Sequence, residues 1–363
     1  MTLCFLLLIG QFLQPGAIYV RLGCALPAKA TAAERASLQG LQLLSARLNQ
    51  FTPFYGPSQL PLRLRLTVED AGEADRAAEI YDRFIQNQEV DFLVGMSAQG
   101  RKAAVETGAA SGVLTLLTGV ESWGRHLEPL SPWAFTPDVQ VQDIMAGVIE
   151  LASKQSIPAT SVATIWDAGS SFAEHLCAGA SFHAQRLGMR VLDTTGIADQ
   201  AMMPHMRHLK ALGPDLLLGC GNLRGAEQIL ISASSLSFIP LGIVLTALSS
   251  RDAVRSIGAH LANYVMSPTA WEPSSSLTCP VFGSAKDFAN AYRAKFNEEP
   301  RPESAAAAAG GIALLAAIQQ AGSLDQEAVR EALLTLDLQT CYGRLAFSAN
   351  GTRQHPVTGT RQV

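Results

Sequence analysis

The sequence predicts an α/β fold of two Rossmann-like lobes, each on a parallel sheet, joined by a multi-strand hinge. Three observations carry this. Short apolar runs ending in glycine or small polar residues alternate with amphipathic helical stretches, the pattern of βαβ units. The alternation is interrupted by the Pro-rich segment 129–137 and then restarts. The 363 residues exceed what one hydrophobic core organises and suit two.

The first strand is read at Ile18–Leu26, followed by a helix from Ala32 to Asn49 with Leu38, Leu41, Leu44 and Leu48 on one face. A loop at Phe51–Pro61 leads to a strand at Leu62–Val68 and a helix at Ala74–Gln86. The run Asp91–Gly100 follows, and the rest of the chain is arranged around it. Phe92, Leu93 and Val94 enter Gly95 without polar alternation, as in a strand covered on both faces. The loop after it stands at a strand's carboxyl end, where open α/β sheets bind ligands. Ser97 and Gln99 supply hydrogen-bonding groups there. A helix from Arg101, a strand at Gly112–Leu117 and a polar loop at Thr118–Trp123 complete this half.

After the Pro-rich break come a helix at Val141–Lys154, a strand at Ser161–Trp166, a loop at Asp167–Ser171 and a helix at Phe172–Leu187. Strands at Met189–Leu192, Asp215–Leu218, Ile239–Leu245 and Tyr264–Met266 alternate with helices at Met202–Leu212 and Gly225–Leu236. Ser267–Pro280 reads as a second connection between the lobes. Helices at Phe288–Phe296, Ser304–Ala321 and Gln326–Leu336 precede a strand at Gly343–Phe347 and the turn Ser348–Gly351.

Composition narrows the function classes. Hydrophobic residues make up 48% and charged residues 16%, enough for a large core, and the net charge of −4 gives no electrostatic footprint for nucleic acid or an anionic membrane. Residues 3–13 form an apolar run too short to span a bilayer comfortably, and small residues follow to Ala17. A signal peptide is therefore expected at 1–17, although no Lys or Arg precedes the run. The six cysteines contain no CxxC pair, which argues against a zinc or dithiol site. A disulfide between Cys279 and Cys341 is compatible with the sequence without being required by it.

The order of these pieces resembles the type I periplasmic solute-binding proteins of the branched-chain amino acid and amide class, from Ile18 onward. Leu64–Asp70 is similar to that family's strand ending in acidic residues, and Val90–Gly95 to its strand leading into the ligand loop. His208–Asp215 and Gly343–Gly351 are similar to a later helix-to-strand passage and to the closing strand and turn. The resemblance implies lobe one at 18–137 plus 269–339 and lobe two at 138–268 plus 340–363. It implies a cleft between them that closes on a small polar metabolite, an amino acid, amide or related compound. The protein would be periplasmic or extracellular and would deliver its ligand to ABC transporter permease subunits. No cofactor, catalytic residue, metal or membrane span is implied. The alternative role on the same fold is a ligand-sensing receptor ectodomain or regulator.

Carried onto this sequence, the resemblance places Ser97, Ala98 and Gln99 in the ligand loop, and Thr118, Gly119 and Glu121 in the next. Glu121 falls near a family threonine, and an ionised carboxylate there repels a ligand carboxylate or accepts an ammonium. Phe172 matches a family tyrosine without its hydroxyl, Asn222 lies on the Gly219–Gly221 turn, and Thr246 falls near an acidic position that grips an ammonium. These departures make an amide or an aromatic acid as suitable as an amino acid.

Other motifs carry less. Gly219–Gly225 follows a strand and opens a helix, but its spacing has one residue too many for a dinucleotide loop. His205 and His208 share a helix face with no third metal ligand nearby in sequence, beside Arg207 and Lys210. Glu174 and His175 diverge on their helix, and the acids at 69–75 suit a helix start. Asn350-Gly351-Thr352 is a glycosylation pattern or simply a turn. Nucleophile-elbow, P-loop and HExxH motifs are absent, so no enzyme is expected.

Overall fold

The computed structural model describes residues 16–72, 76–119, 131–198, 201–248, 251–354 and 359–362. Its first half contains β1 (Ile18–Leu26), α1 (Ala32–Gln50), β2 (Leu62–Asp70), α2 (Arg76–Gln86), β3 (Phe92–Gly95), α3 (Ala98–Ser111), β4 (Thr115–Leu117) and β5 (Ala134–Phe135). The strands form one parallel sheet in the order β2-β1-β3-β4-β5. Cover on both faces explains the unbroken apolar runs: Phe92 and Val94 of β3 enter one core, whereas Leu93 between them joins Tyr81 and Phe84 of α2 in another. Gly23 on β1 has no alternative, because a Cβ there would stand 2.7 Å from the Phe84 ring.

The second half contains α4 (Ala146–Ser153), β6 (Ser161–Asp167), α5 (Ser171–Arg186), β7 (Arg190–Ile197), α6 (Met202–Leu212), β8 (Leu216–Cys220), α7 (Leu223–Ser235), β9 (Gly242–Leu245), α8 (Arg251–Ile257), α9 (Ala259–Ala262) and β10 (Met266–Thr269). The chain then forms β11 (Thr278–Cys279), β12 (Gly283–Ser284), α10 (Ala285–Phe296), α11 (Pro302–Ala321), α12 (Gln326–Thr335), β13 (Leu338–Thr340), β14 (Gly343–Leu345) and β15 (Gly359–Gln362). The second sheet runs β15-β10-β9-β8-β6-β7, parallel except for β15. Here too alternation divides the faces: Leu216 and Leu218 join one core, Leu217 the other.

Three passages link the halves: after β5, after β10, and between β14 and β15. In between, α11 returns to pack on α1 so closely that a Cβ on Gly40 would lie 2.1 Å from the Ser304 carbonyl oxygen. The first and third passages are tied together, with Thr136 N–H donating to the Gly351 carbonyl at 2.9 Å and Arg353 Nη1 to that of Pro137 at 3.3 Å. Trp271 in the second is 3% exposed, stacks edge-on against Phe288 and donates from Nε1 to the Cys341 carbonyl at 2.7 Å. It fills the interior rather than walling an opening. Among the described residues two disulfides form, Cys177–Cys220 and Cys279–Cys341, with Cα atoms 5.8 Å and 4.9 Å apart, and Cys24 is a buried thiol.

Several expected elements are redrawn. Gly112 does not start a strand; it ends α3 in the left-handed conformation, φ +64°. The helix expected from Arg101 begins at Ala98, capped by Ser97. Ile239–Leu241 precede β9 as an exposed loop, and β7 runs to Ile197, well past Leu192. The segment 129–137 contributes β5, and Val141–Lys154 divides into a 3-10 turn and α4. The segment expected to hold a signal peptide lies outside the described residues, apart from its last two.

Candidate functional site

Both sheets are parallel apart from β15, so in each the carboxyl ends of the parallel strands gather at one edge, and the loops there carry the candidate residues. In the first half β3 and β4 finish side by side, Gly95 pairing with Leu117 and the Thr118 N–H donating to the Gly95 carbonyl at 3.0 Å. Ser97 ends the β3 loop as the N-cap of α3, its Oγ accepting from the Gly100 N–H at 2.9 Å. Ala98 and Gln99 form the first turn of α3, and their side chains lie outside the described residues. Backbone N–H groups of a first helical turn have no partner within the helix, which makes such a turn a receptor for negative charge.

Thr118 is fully buried and its Oγ1 has no hydrogen-bond partner among the described residues. Gly119 turns the chain with φ +87°, and a Cβ on it would lie 2.5 Å from Ser37 Oγ of α1. Glu121 lies outside the described residues. Arg101, unmarked by any motif, stands one turn into α3 and is 3% exposed. Among the described residues its Nε has no hydrogen-bond partner, and Nη1 forms an ion pair with Asp138 Oδ2 at 3.6 Å on the first passage. Desolvation pulls the guanidinium below its ordinary pKa, and the Asp138 carboxylate opposes that shift.

In the second half a cleft of about 360 Å³ opens at the strand ends, lined among others by Trp166, Asp167, Ile197, Gly221, Asn222 and Gln228. Asn222 caps α7, its Oδ1 accepting from the Gly225 N–H at 2.9 Å. Thr246 Oγ1 accepts from the Gly221 N–H at 3.1 Å, so Thr246 buttresses the turn that carries Asn222. Gln228 Oε1 is buried there without a donor among the described residues. Phe172 stands in the first turn of α5, half-buried against the core, outside the residues that line the cleft. The Cys177–Cys220 disulfide fixes the end of β8 to α5 just beneath this turn.

The structure thus gathers Ser97, Thr118 and Gly119 at one edge and Asn222 and Thr246 at the other. His205 and His208 each turn an Nε2 toward Asp193 of β7 at 3.5 Å, away from the cleft lining. Among the described residues no group of His, Cys, Asp and Glu side chains is arranged to hold a metal ion. Sequence reasoning missed Arg101, Asp138 and Gln228, since burial and pairing across distant segments leave no local signal.

Residues 28–362 match the family model described as periplasmic binding protein. Among solved structures, a candidate branched-chain amino acid ABC transporter protein from Rhodospirillum rubrum is similar, with TM-score 0.76 and 18% identity over 95% of this chain and 96% of that one. An ABC transporter substrate-binding protein from Desulfitobacterium hafniense, in complex with Leu, gives TM-score 0.69 and 16% identity over 95% and 98%. A solute-binding protein of an ABC transporter from Rhodopseudomonas palustris, in complex with 3,4-dihydroxybenzoic acid, gives 0.63 and 13% over 95% and 93%.

Proposed function

The chain belongs to the periplasmic binding protein family, and from that premise we propose that it is an extracytoplasmic solute-binding protein that delivers a small polar metabolite to an ABC permease. The ligand is an amino acid, an amide or a related small acid. One observation supports this most: each sheet leaves hydrogen-bonding groups without partners at its carboxyl edge. Among the described residues, Thr118 Oγ1 and Arg101 Nε do so in the first half, and Gln228 Oε1 in the second. Buried polar groups are nearly always paired, so such orphans suit a guest that completes them. The amides of α3 and the Arg101 charge favour a carboxylate or amide oxygen on the first side. Ser97, Ala98, Gln99, Thr118, Gly119 and Glu121 are the proposed contacts there; Phe172, Asn222 and Thr246 are those of the second side.

The mechanism is a population shift. A ligand that touches both halves only in the closed arrangement favours closure by its differential affinity. The test is a thermal-shift screen over amino acids, amides and aromatic acids. A ligand at 100 times its Kd adds about 2.7 kcal/mol of apparent stability. Gln99→Ala and Arg101→Met are expected to weaken the response to the hit by roughly tenfold or more in Kd, the loss of a charge-assisted hydrogen bond. Parental responses from both variants would refute the contact assignment, and turnover of any screened compound would refute the binding-protein reading.

A further inference from the structure

We propose that the amino-terminal edge of the second sheet, opposite the cleft, is a self-complementary interface that pairs two copies of this chain. The segment entering each parallel strand presents large apolar side chains to solvent. Leu187 precedes β7, Ile157 β6, Leu212 β8, Ile239 and Leu241 β9, and Tyr264 β10. Their exposures are 44%, 69%, 39%, 89%, 57% and 74%, and they are six of the thirteen exposed large apolar residues among those described.

Parallel pairing places all five strand beginnings at one edge, and a strand spacing of about 4.8 Å spreads them over roughly 20 Å. They therefore form one patch, of the kind that marks an interaction site on a soluble protein. Tyr264 also holds φ +64°, a left-handed conformation that is costly for a bulky residue, and 74% of its surface faces water. At roughly 150–200 Å² of full surface per side chain, the six exposures amount to on the order of 650 Å². A standard interface buries about 800 Å² per partner, so these side chains supply most of what a stable dimer needs.

The charges around the patch point to a second copy rather than an oppositely charged partner. Lys154 Nζ meets Glu150 at 2.5 Å, and Lys210 Nζ donates to the Leu236 carbonyl at 2.6 Å. The Asp215 carboxylate accepts from Thr160 and Ser161. Arg186 and Arg190 mark the rim beside β7. A twofold axis along the sheet normal sets the β7 side of one copy against the β10 side of the other, so the arginines of the two copies stay apart and Tyr264 faces the Ile157–Leu187 side. Both clefts then point outward, free to close.

Sedimentation velocity of the full chain from about 1 to 200 μM tests this, within the range of moderate protein affinities. A dimer that dissociates on dilution is expected. Ile239→Asp and Tyr264→Asp should each raise the dimer Kd by roughly 30-fold or more, the scale of a lost hot spot. Far-UV circular dichroism should be unchanged, and so should the melting temperature at concentrations dilute enough that the wild type is monomeric too, since both sites are exposed. A wild-type monomer throughout the range overturns the proposal, whether or not that monomer sediments with anionic vesicles. So does a dimer that both folded variants retain.

Discussion

At the scale of single residues, Thr118 and Asp215 make opposite predictions. Thr118 Oγ1 is buried without a partner among the described residues, which leaves its desolvation uncompensated by them. Thr118→Val keeps the shape and removes the hydroxyl. The unliganded variant is expected to be unchanged or up to about 1 kcal/mol more stable in urea titrations, while ligand affinity falls. A clear loss of stability without ligand would mean that the hydroxyl is satisfied. Asp215 has the reverse character. Burial pushes its carboxyl pKa up, but hydrogen bonds from the N–H and hydroxyl groups of Thr160 and Ser161 outweigh that and hold it below the usual value. The unfolded chain therefore binds the proton more readily. This contribution is complete above the unfolded carboxylate pKa of about 3.9 and is lost as pH falls through the lower folded value. Asp215→Asn should lose about 1–2 kcal/mol at neutral pH and show a shallower acid limb. Parallel stability curves for parent and variant between pH 5 and 2 would contradict this.

Among elements, the β8–α7 turn depends on the Cys177–Cys220 bridge beneath it, which closes a segment of 43 residues. Loop-closure entropy for that length gives about 4 kcal/mol, and measured disulfides commonly give 2–5. The double Cys177→Ala/Cys220→Ala variant should lower the urea midpoint accordingly and weaken ligand binding through Asn222; an unchanged midpoint would show that the bridge does not constrain the unfolded chain. The elements also mark how far the sequence could be read. Long amphipathic helices and two-sided apolar strands such as β3 and β8 announce themselves through period and run length. Ser97 was read as a loop hydrogen-bonding group and Asn222 as a turn residue, and the capping roles that the structure gives them were not anticipated. β5, with two residues, is defined by its pairing with β4 and has no pattern of its own. Ile239–Leu241 satisfies the strand pattern yet stays in water, because packing decides the outcome for short apolar runs. Arg101 meets Asp138 across 37 positions of chain, and Cys177 finds Cys220 only once α5 lies on the sheet.

For the molecule as a whole, the proposed closure requires the two halves to move relative to each other about the three passages. Small-angle scattering should show a smaller radius of gyration with the hit from the thermal screen than without it, at concentrations where the association state is the same. An unchanged curve at saturation would separate binding from closure.

Those passages have a separate consequence for how the protein breaks. A single protease nick in the second of them, between 270 and 277, leaves two intact polypeptide bridges between the halves. α10, α11 and α12 also remain packed in the first half, with Trp271 held at Cys341. The cut molecule should therefore migrate as one species in a native gel. Its fragments should part only once denaturant melts the packing, and limited digestion would then report unfolding rather than severance.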